Sequence, residues 1–438
     1  MSRLRKILIT GAVLLPGCGF TRAQSTAKPA ASSWTRDDAA HLLRRAAFGG
    51  TPEQIDRFHT LGRQGAVNEL VDYEKVKAAF EPPSVMPYEP PPFYKEGPLA
   101  PEDRQEVIRI RRQNHIMEFS NMSEWWLRRM ISTPRPLEEK LTLFWHGHFT
   151  SGMREVENPR FLYDQNQLFR RLAKGSFGEL VKAVSADPAM LRYLDNVNNV
   201  AGHPNENYAR ELLELFTMGE GHYSENDIKA VARAFTGWTI NRATGTPFFE
   251  MQKHDFGFKP LFGQFRRFNG YDVVDLILAQ PATAKHVARE LWVYFAGTEP
   301  DPPVLTTLAS TFQRSKFSIE ALLRAMFMHD AFYAPAVKFA AVKSPAELVV
   351  GTYRLLELPP SNAASLATAL RRMGQELFQP PNVKGWDGGL KWINTSTLLE
   401  RYNFVVGALH GNEAPREGEQ MAMRMQQMMS DMPPEMAS

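Results

Sequence analysis

Residues 204–221, PNENYARELLELFTMGEG, decide the fold class that the sequence predicts. Leucine and phenylalanine cover most sides of a helix drawn through this stretch, while a second set of side chains recurs at helical spacing along one stripe. The stripe consists of Asn207, Arg210, Glu211, Glu214 and Met218. Because a helix that is apolar on most sides is buried by other helices, the stretch predicts a protein of many packed helices.

Helix start and stop signals recur along the rest of the chain. Thr35 and Asp38 form a capping box at the start of the first helix. Similar signals predict helices over residues 104–132, 136–148, 177–192, 205–218, 225–236, 282–296, 303–315, 318–330, 345–357, 363–378 and 394–409. Residues 81–105 are too rich in proline for a helix, and only residues 238–251 indicate strands. The predicted fold is mainly α, a large multi-helix domain over residues 36–410 with at most a short β-hairpin.

Composition and charge limit the classes of function. The chain has 438 residues, of which 43% are hydrophobic and 23% charged, as in a globular protein with a large core. Its 51 basic and 48 acidic residues leave a formal net charge of +3. Since no field over the whole sequence favours a polyanion, we expect no nucleic-acid partner.

The first residues predict export. Arg3, Arg5 and Lys6 precede the apolar stretch ILITGAVLLPG, which is too short to span a bilayer, so residues 1–23 are typical of an export signal. Cys18, the only cysteine, follows LLPG, which predicts cleavage before Cys18 and a lipid anchor there. The alternative is ordinary cleavage after residue 23. In both cases we expect a location in the periplasm or at the outer-membrane surface, and we expect contact with a membrane only where Cys18 carries the lipid anchor.

Two flanking segments differ from the helical domain. Residues 24–35 are a short polar linker. Residues 411–438 form a methionine-rich, flexible tail with seven methionines between positions 421 and 436. Thioethers are soft ligands that can bind copper(I) outside the cytoplasm. The alternative is a floppy amphipathic end, because methionine is also a good helix former and gap filler.

The stretch FWHGHFTSG, residues 144–152, contains two candidate metal ligands, His146 and His148. Residues two apart on a helix point about 200° apart, so the two imidazoles meet at a divalent metal only if Gly147 breaks the helix. If the helix continues, His148 joins its apolar face as a core residue. His148 is also a candidate for assisting catalysis.

Glu211 and Glu214 are the candidate catalytic carboxylates. Two carboxylates one turn apart on a largely buried helix suit acid–base chemistry or metal ligation, because each raises the pKa of the other. The alternative is an internal ion-pair network with the polar face of the first helix. That face consists of His41, Arg44 and Arg45.

Two later stretches add candidate substrate-binding residues to Asn207, Arg210 and the first-helix face. They are His254 and Asp255 in HDFGFK, and Lys384, Trp386, Asp387 and Trp392 in PPNVKGWDGGLKWIN. Loop tryptophans beside polar groups can stack on sugar rings and so form the rim of a cleft. The alternative is a tight turn in which both tryptophans cap the core.

Six blocks of the sequence resemble the signature blocks of a bacterial exported family known as the domain of unknown function 1800. They are HLLRRAAFG, LFWHGHF, NENYARELLELFTMGEGHYSENDIKAVARAFTGW, HDFGFKPLFG, VKSPAELVVG and GQELFQPPNVKGWDGGLKWINTSTLLER. The resemblance covers residues 36 to about 410 and leaves Cys18 and the tail outside it. It implies a mostly helical exported protein, and it implies a partner, because members are often encoded beside an exported protein of the phosphatase or sulfatase type. It implies no reaction.

Two functions remain as expectations. The first is an envelope enzyme that acts on a polymeric, carbohydrate-containing substrate through a polar cleft, with Glu211 and Glu214 as acid–base groups or metal ligands. The second is a noncatalytic binding or assembly partner of another exported protein, in which the same polar residues brace the fold.

Overall fold

The computed structural model describes residues 34–90 and 100–410. The predicted export signal, Cys18, most of the linker and the methionine-rich tail lie outside these residues. Within the described part of the chain, no helix has the length and apolar character needed to cross a membrane.

Eighteen α-helices account for most of the described residues, which confirms the mainly α fold. They are α1 Arg36–Ala46, α2 Pro52–Thr60, α3 Gly62–Val71, α4 Pro101–Ser132, α5 Pro136–His148, α6 Met153–Val156, α7 Pro159–Leu172, α8 Phe177–Ser185, α9 Pro188–Tyr193, α10 Asn207–Glu211, α11 Glu225–Ala234, α12 Gly270–Leu278, α13 Pro281–Ala296, α14 Pro302–Arg314, α15 Ile319–Met328, α16 Pro345–Leu355, α17 Ala363–Arg372 and α18 Thr395–Leu409.

Two small antiparallel hairpins contain the strands of the described residues. Strands β1 Trp238–Ile240 and β2 Pro247–Phe249 pair as predicted from residues 238–251. The second hairpin, of β3 Lys259–Leu261 and β4 Gln264–Arg266, was not predicted. Strands of three residues are too short to show the alternation on which a strand prediction depends.

Local caps explain where several helices begin and end. Thr35 caps α1 and Ser224 caps α11, each in a complete capping box. The predicted helix over 177–192 is wrong in one respect, because it divides into α8 and α9. Asp187 accepts a hydrogen bond from the backbone N–H of Met190 at 2.9 Å and so begins a new helix at Pro188.

The stripe that predicted the fold class is not a continuous α-helix. Helix α10 ends at Glu211, and a π-helical turn covers Leu212–Thr217, where the N–H of Met218 donates to the carbonyl of Leu213 at 3.0 Å. The wider turn shifts the later side chains around the axis, so Met218 is buried while Asn207 is exposed. Single π-helical turns are rare and are frequent at functional sites.

Helix α5 lies between two apolar cores. Trp145 and Phe149 belong to the larger core, whereas Leu143 packs in the smaller one with Trp126 and Phe378. A helix that contributes to both cores is fixed on nearly all sides, so its C-terminal residues are held rigidly where the candidate site is found.

Candidate functional site

A cleft of about 790 Å³ opens between α5, α13 and residues 383–392, which we call the tryptophan loop. The size is within the range of small-ligand sites. Its polar and aromatic lining consists of Arg45, Phe144, His148, His286, Arg289, Glu290, Tyr294, Glu299, Ser344, Glu347, Gln375, Lys384, Trp386, Lys391 and Trp392. Five residues predicted from the sequence therefore meet in one place. They are Arg45, His148, Lys384, Trp386 and Trp392.

Under the cleft, Arg45, Lys140 and Glu347 form a buried ion network that we call the cleft floor. Oε1 of Glu347 accepts from Lys140 Nζ and, at 3.3 Å, from Arg45, while Oε2 accepts the backbone N–H of Ser344 at 2.7 Å. Arg45 also donates to two backbone carbonyls of α13 at 2.6 and 2.7 Å. Burial alone would raise the pKa of Glu347, but Lys140 and Arg45 lower it to about 2. The carboxylate therefore stays ionised and both its oxygens are occupied.

Lys140 is fully buried in the second turn of α5. Its Nζ lies 4.8 Å from the ring centre of Phe48 and 5.2 Å from that of Tyr294, a cation–π arrangement on two sides. Burial lowers the pKa of Lys140 to about 8, and Glu347 opposes that shift. Lys140 thus contacts Glu347 and two aromatic rings, and its ion pair with Glu347 links α5 to α16.

Two imidazoles face the cleft from α5 and α13. His148 Nε2 lies 2.9 Å from the carbonyl oxygen of Phe216, and His286 Nε2 lies 2.9 Å from that of Leu215. Because a carbonyl oxygen only accepts, both rings donate from Nε2, and the neutral ring of His148 keeps the lone pair of Nδ1. Burial, with the neighbouring His286, lowers the pKa of His148 to about 3. His148 is therefore a neutral acceptor held by the π-helical turn.

His146 has a different environment from His148. Helix α5 continues through Gly147 to His148, so the break on which a shared metal depends is not present. His146 is buried among aromatic rings, with centroids 5.5 Å from Trp126, 5.2 Å from Phe378 and 5.6 Å from Trp386. Burial lowers the pKa of His146 to about 3. Among the described residues, no three His, Cys, Asp or Glu side chains are grouped to hold a metal ion.

Gly147 does not break α5, and the tryptophan loop packs closely against its backbone. Gly385 in the tryptophan loop has φ +79°, and a Cβ added there would lie 2.3 Å from the carbonyl oxygen of Gly147. A Cβ on Gly147 would lie 3.6 Å from the ring of Trp386, which is an ordinary van der Waals contact. Gly385 therefore lets the loop backbone approach the end of α5 closely, which places Trp386 in the cleft lining.

The two loop tryptophans differ in burial. Trp392 is 9% exposed and caps the core, while Trp386 is half-buried, and both line the cleft. Lys384 is exposed at the cleft edge. Asp387 pairs with Lys391 at 2.7 Å on the exposed side of the loop and does not line the cleft.

Glu211 and Glu214 lie next to the cleft but not in its lining. Burial, with the charge of Glu214, raises the pKa of Glu211, and Lys384 opposes that shift. Glu214 accepts a hydrogen bond from the hydroxyl of Tyr223 at 3.1 Å. The carboxyl pair is thus half-buried, sparsely hydrogen-bonded and linked to the cleft through Lys384.

The predicted pairing of these carboxylates with the first-helix arginines is wrong. Arg45 binds Glu347, and Arg44 lies 4.4 Å from the ring centre of Phe339. Arg210 pairs instead with Glu225 at 2.9 Å on the exposed side.

The other predicted binding residues lie outside the cleft lining. His41 is fully buried against Phe332 and Tyr333, and burial lowers its pKa to about 4. Asp255 accepts two hydrogen bonds from Arg233 at 2.7 and 3.2 Å, and His254 Nδ1 lies 2.9 Å from the carbonyl oxygen of Thr236. These residues brace the segment between the two hairpins, and Asn207 is exposed on α10.

Sequence reasoning missed most of the charges that shape the site. Glu347 lies three residues after Ser344 in a capping box, which the sequence shows. That pattern does not indicate that the Glu347 side chain also binds Lys140 and Arg45. Glu139, one residue before Lys140, is fully buried and accepts two hydrogen bonds from Arg170 at 2.7 and 2.9 Å. The signal in the sequence was the run of charged residues at the start of α5, which is otherwise apolar and which could have indicated buried ion pairs.

The described residues thus form a helical fold whose cleft beside α5 is lined by two tryptophans and by charged side chains. A family model described as protein of unknown function (DUF1800) matches residues 41–435, so the chain belongs to that family. The match continues past residue 410, where the resembling blocks end, into the methionine-rich tail. No curated protein and no solved structure matches the chain.

Proposed function

We propose that the protein is an exported envelope enzyme that binds a polymeric, carbohydrate-containing substrate in the cleft. One observation carries the proposal: Trp386 and Trp392 line the same cleft as the imidazoles of His148 and His286. Sugar rings offer apolar faces to aromatic side chains and hydroxyl groups at their edges. The Nδ1 lone pair of His148 accepts a hydrogen bond from such a hydroxyl, and the ammonium group of Lys384 donates one to a hydroxyl oxygen.

The carboxyl pair supplies the proposed chemistry. A carboxyl group with a raised pKa stays protonated closer to neutral pH and can donate a proton to a leaving oxygen. We assign that acid role to Glu211 and the base role to Glu214, whose carboxylate Tyr223 orients. Lys384, which lines the cleft and acts electrostatically on Glu211, connects the binding site to the pair.

The alternative is a noncatalytic partner of another exported protein, for which a phosphatase or sulfatase type remains the prediction. One observation favours it, because Arg45, Arg210 and Asp255 are all used in ion pairs within the fold. Polar residues that brace a scaffold would give this arrangement without any reaction.

Co-sedimentation with insoluble envelope polysaccharide, followed by assay of released soluble sugar, tests the proposal. We expect the full chain to sediment with the polymer and to release fragments. Lys384→Ala and Trp386→Ala should weaken binding, whereas Trp125→Ala, a half-buried tryptophan outside the cleft, should not. Lys384 is exposed, so its variant tests the site even if Trp386→Ala folds poorly.

Glu211→Gln separates the two functions. We expect this variant to bind the polymer as the wild type does and to release no fragments. Binding without release by the wild type would favour the noncatalytic alternative, and absence of binding by the wild type would contradict a carbohydrate site.

A further inference from the structure

A second surface, separate from the cleft, is built from residues 256–268, FGFKPLFGQFRRF. This stretch contains five phenylalanines, three basic residues and no acidic residue. It includes β3 and β4 and the turn between them. The cleft uses none of its residues.

Three of the phenylalanines are exposed on a fixed support. Phe256 is 54%, Phe258 49% and Phe265 66% exposed, and the rings of Phe258 and Phe265 stack with centroids 5.2 Å apart. Leu261 and Phe268 of the same stretch are buried in the larger core, which holds the hairpin in place. Exposed aromatic side chains gathered on one rigid element indicate a contact surface.

Two arginines beside these rings have no acidic partner. The guanidinium of Arg267 lies 5.0 Å from the ring centre of Phe258, and that of Arg266 lies 5.7 Å from Phe268. Neither forms an ion pair with a described residue. Other arginines of the chain do form such pairs, among them Arg36, Arg57, Arg109 and Arg160. The surface therefore has a positive charge that the fold itself does not neutralise.

We propose that Phe256, Phe258, Phe265, Arg266 and Arg267, which we call the hairpin patch, dock the protein on an anionic lipid surface. Aromatic side chains insert at the boundary between headgroups and acyl chains, and adjacent arginines bind lipid phosphates. The patch has both features and lacks acidic residues, so its charge complements such a surface. The exposed leucines of α18, by contrast, lie in a helix whose basic residue, Arg401, is buried, and nothing in the structure indicates what covers them. Docking through the patch is independent of a lipid on Cys18 and of the proposed function of the cleft.

Vesicle flotation with the full chain in a Cys18→Ser background tests this proposal, because that change removes the only thiol a lipid could occupy. We expect binding to vesicles of phosphatidylethanolamine with phosphatidylglycerol, little binding to phosphatidylcholine alone, and weaker binding as salt is added. Phe258→Ser with Phe265→Ser should reduce binding roughly tenfold or more. Arg266→Gln with Arg267→Gln should reduce it roughly fivefold for each arginine.

Phe339→Ser is the matched control. Phe339 is 80% exposed and also lies beneath an arginine, Arg44, but outside the patch. We expect this variant to bind vesicles as the parent does, and we expect the melting temperatures of all variants to stay close to that of the parent because the changed residues are exposed.

Three outcomes would overturn the proposal. The first is that the parent does not float with anionic vesicles, and the second is that the patch variants float as well as the parent. The third is a concentration-dependent dimer that the phenylalanine variant abolishes while vesicles remain unbound, which would assign the patch to a second copy of the chain.

Discussion

The cleft floor and the Glu211–Glu214 pair both place carboxylates in poorly solvated surroundings, yet they differ in how completely those carboxylates are bound. Glu347 has a lysine, an arginine and a backbone N–H on its two oxygens. Glu214 has one tyrosine hydroxyl, and no hydrogen bond or ion pair of the Glu211 carboxylate is found among the described residues. A fully bound buried carboxylate stabilises a fold, whereas a half-buried, loosely bound pair is free to act on a ligand.

The largest expected effect follows from breaking the cleft floor. Glu347→Gln leaves Lys140 and Arg45 buried without their counter-charge, so the free energy of unfolding should fall by about 3–5 kcal/mol. Chemical denaturation measures this. The matched control is Glu225→Gln, which breaks the exposed pair with Arg210 and should cost less than about 1 kcal/mol. If both variants lost the same free energy of unfolding, the cleft floor would contribute no more to stability than an exposed ion pair.

The two histidines of α5 provide the next contrast. His146→Leu replaces a ring whose Nε2 has no partner with an apolar side chain, so we expect a change in stability of less than about 1.5 kcal/mol and unchanged binding. His148→Leu should keep the fold but lose polymer binding. Elemental analysis of both variants adds a second test, because stoichiometric metal in the wild type that disappears in each variant would contradict separate environments for the two rings.

The pH dependence of stability should have opposite signs in the two regions. The pKa of Glu347 is lowered to about 2 from an ordinary 4.5, so its contribution to stability is present above pH 4.5 and is lost as pH falls towards 2. The pKa of Glu211 is higher in the folded protein than in the unfolded chain. Its contribution to stability is therefore present below the pKa of the unfolded chain and is lost as pH rises through the pKa of the folded protein. Melting curves between pH 3 and pH 7 should show the penalty of Glu347→Gln shrinking in acid. As pH rises, the melting temperature of Glu211→Gln should increase relative to that of the wild type. A difference in melting temperature that stays constant with pH would contradict the raised pKa of Glu211.

The smallest expected effect on stability belongs to Glu214→Gln. An amide keeps the hydrogen bond from Tyr223, so the free energy of unfolding should change by less than about 0.5 kcal/mol while fragment release is lost. A marked fall in melting temperature with intact release would assign Glu214 to the bracing of the fold.

Local patterns predicted much of the fold. The bounds of α5 agree with the prediction at both ends, and the capping boxes at Thr35 and Ser224 are present, because these signals depend on residues within one or two turns. The helix over residues 159–172 was missed, although Asn158 caps it and Pro159 occupies its first turn. Its sequence is strongly amphipathic, although Gln165 and Asn166 on its buried side are polar.

The sequence predicted the two tryptophans of the candidate site, but of its lysine, arginine and glutamate side chains it predicted only Arg45 and Lys384. Trp386 and Trp392 stand in a loop whose composition is visible locally. Glu347 binds Lys140 and Arg45, which are 207 and 302 residues away, and no pattern of spacing indicates a partner at such a distance. The π-helical turn was not predicted either. Its extra residue per turn moves side chains away from the stripe that a 3.6-residue period predicts.

Hydrogen–deuterium exchange with soluble fragments of the envelope polysaccharide is the most direct test of the central claim, which is that the cleft binds carbohydrate. We predict slower exchange in the tryptophan loop and at the C-terminal end of α5, with no change in the segment between the two hairpins. Protection confined to other parts of the chain, or none at saturating fragment, would contradict the account.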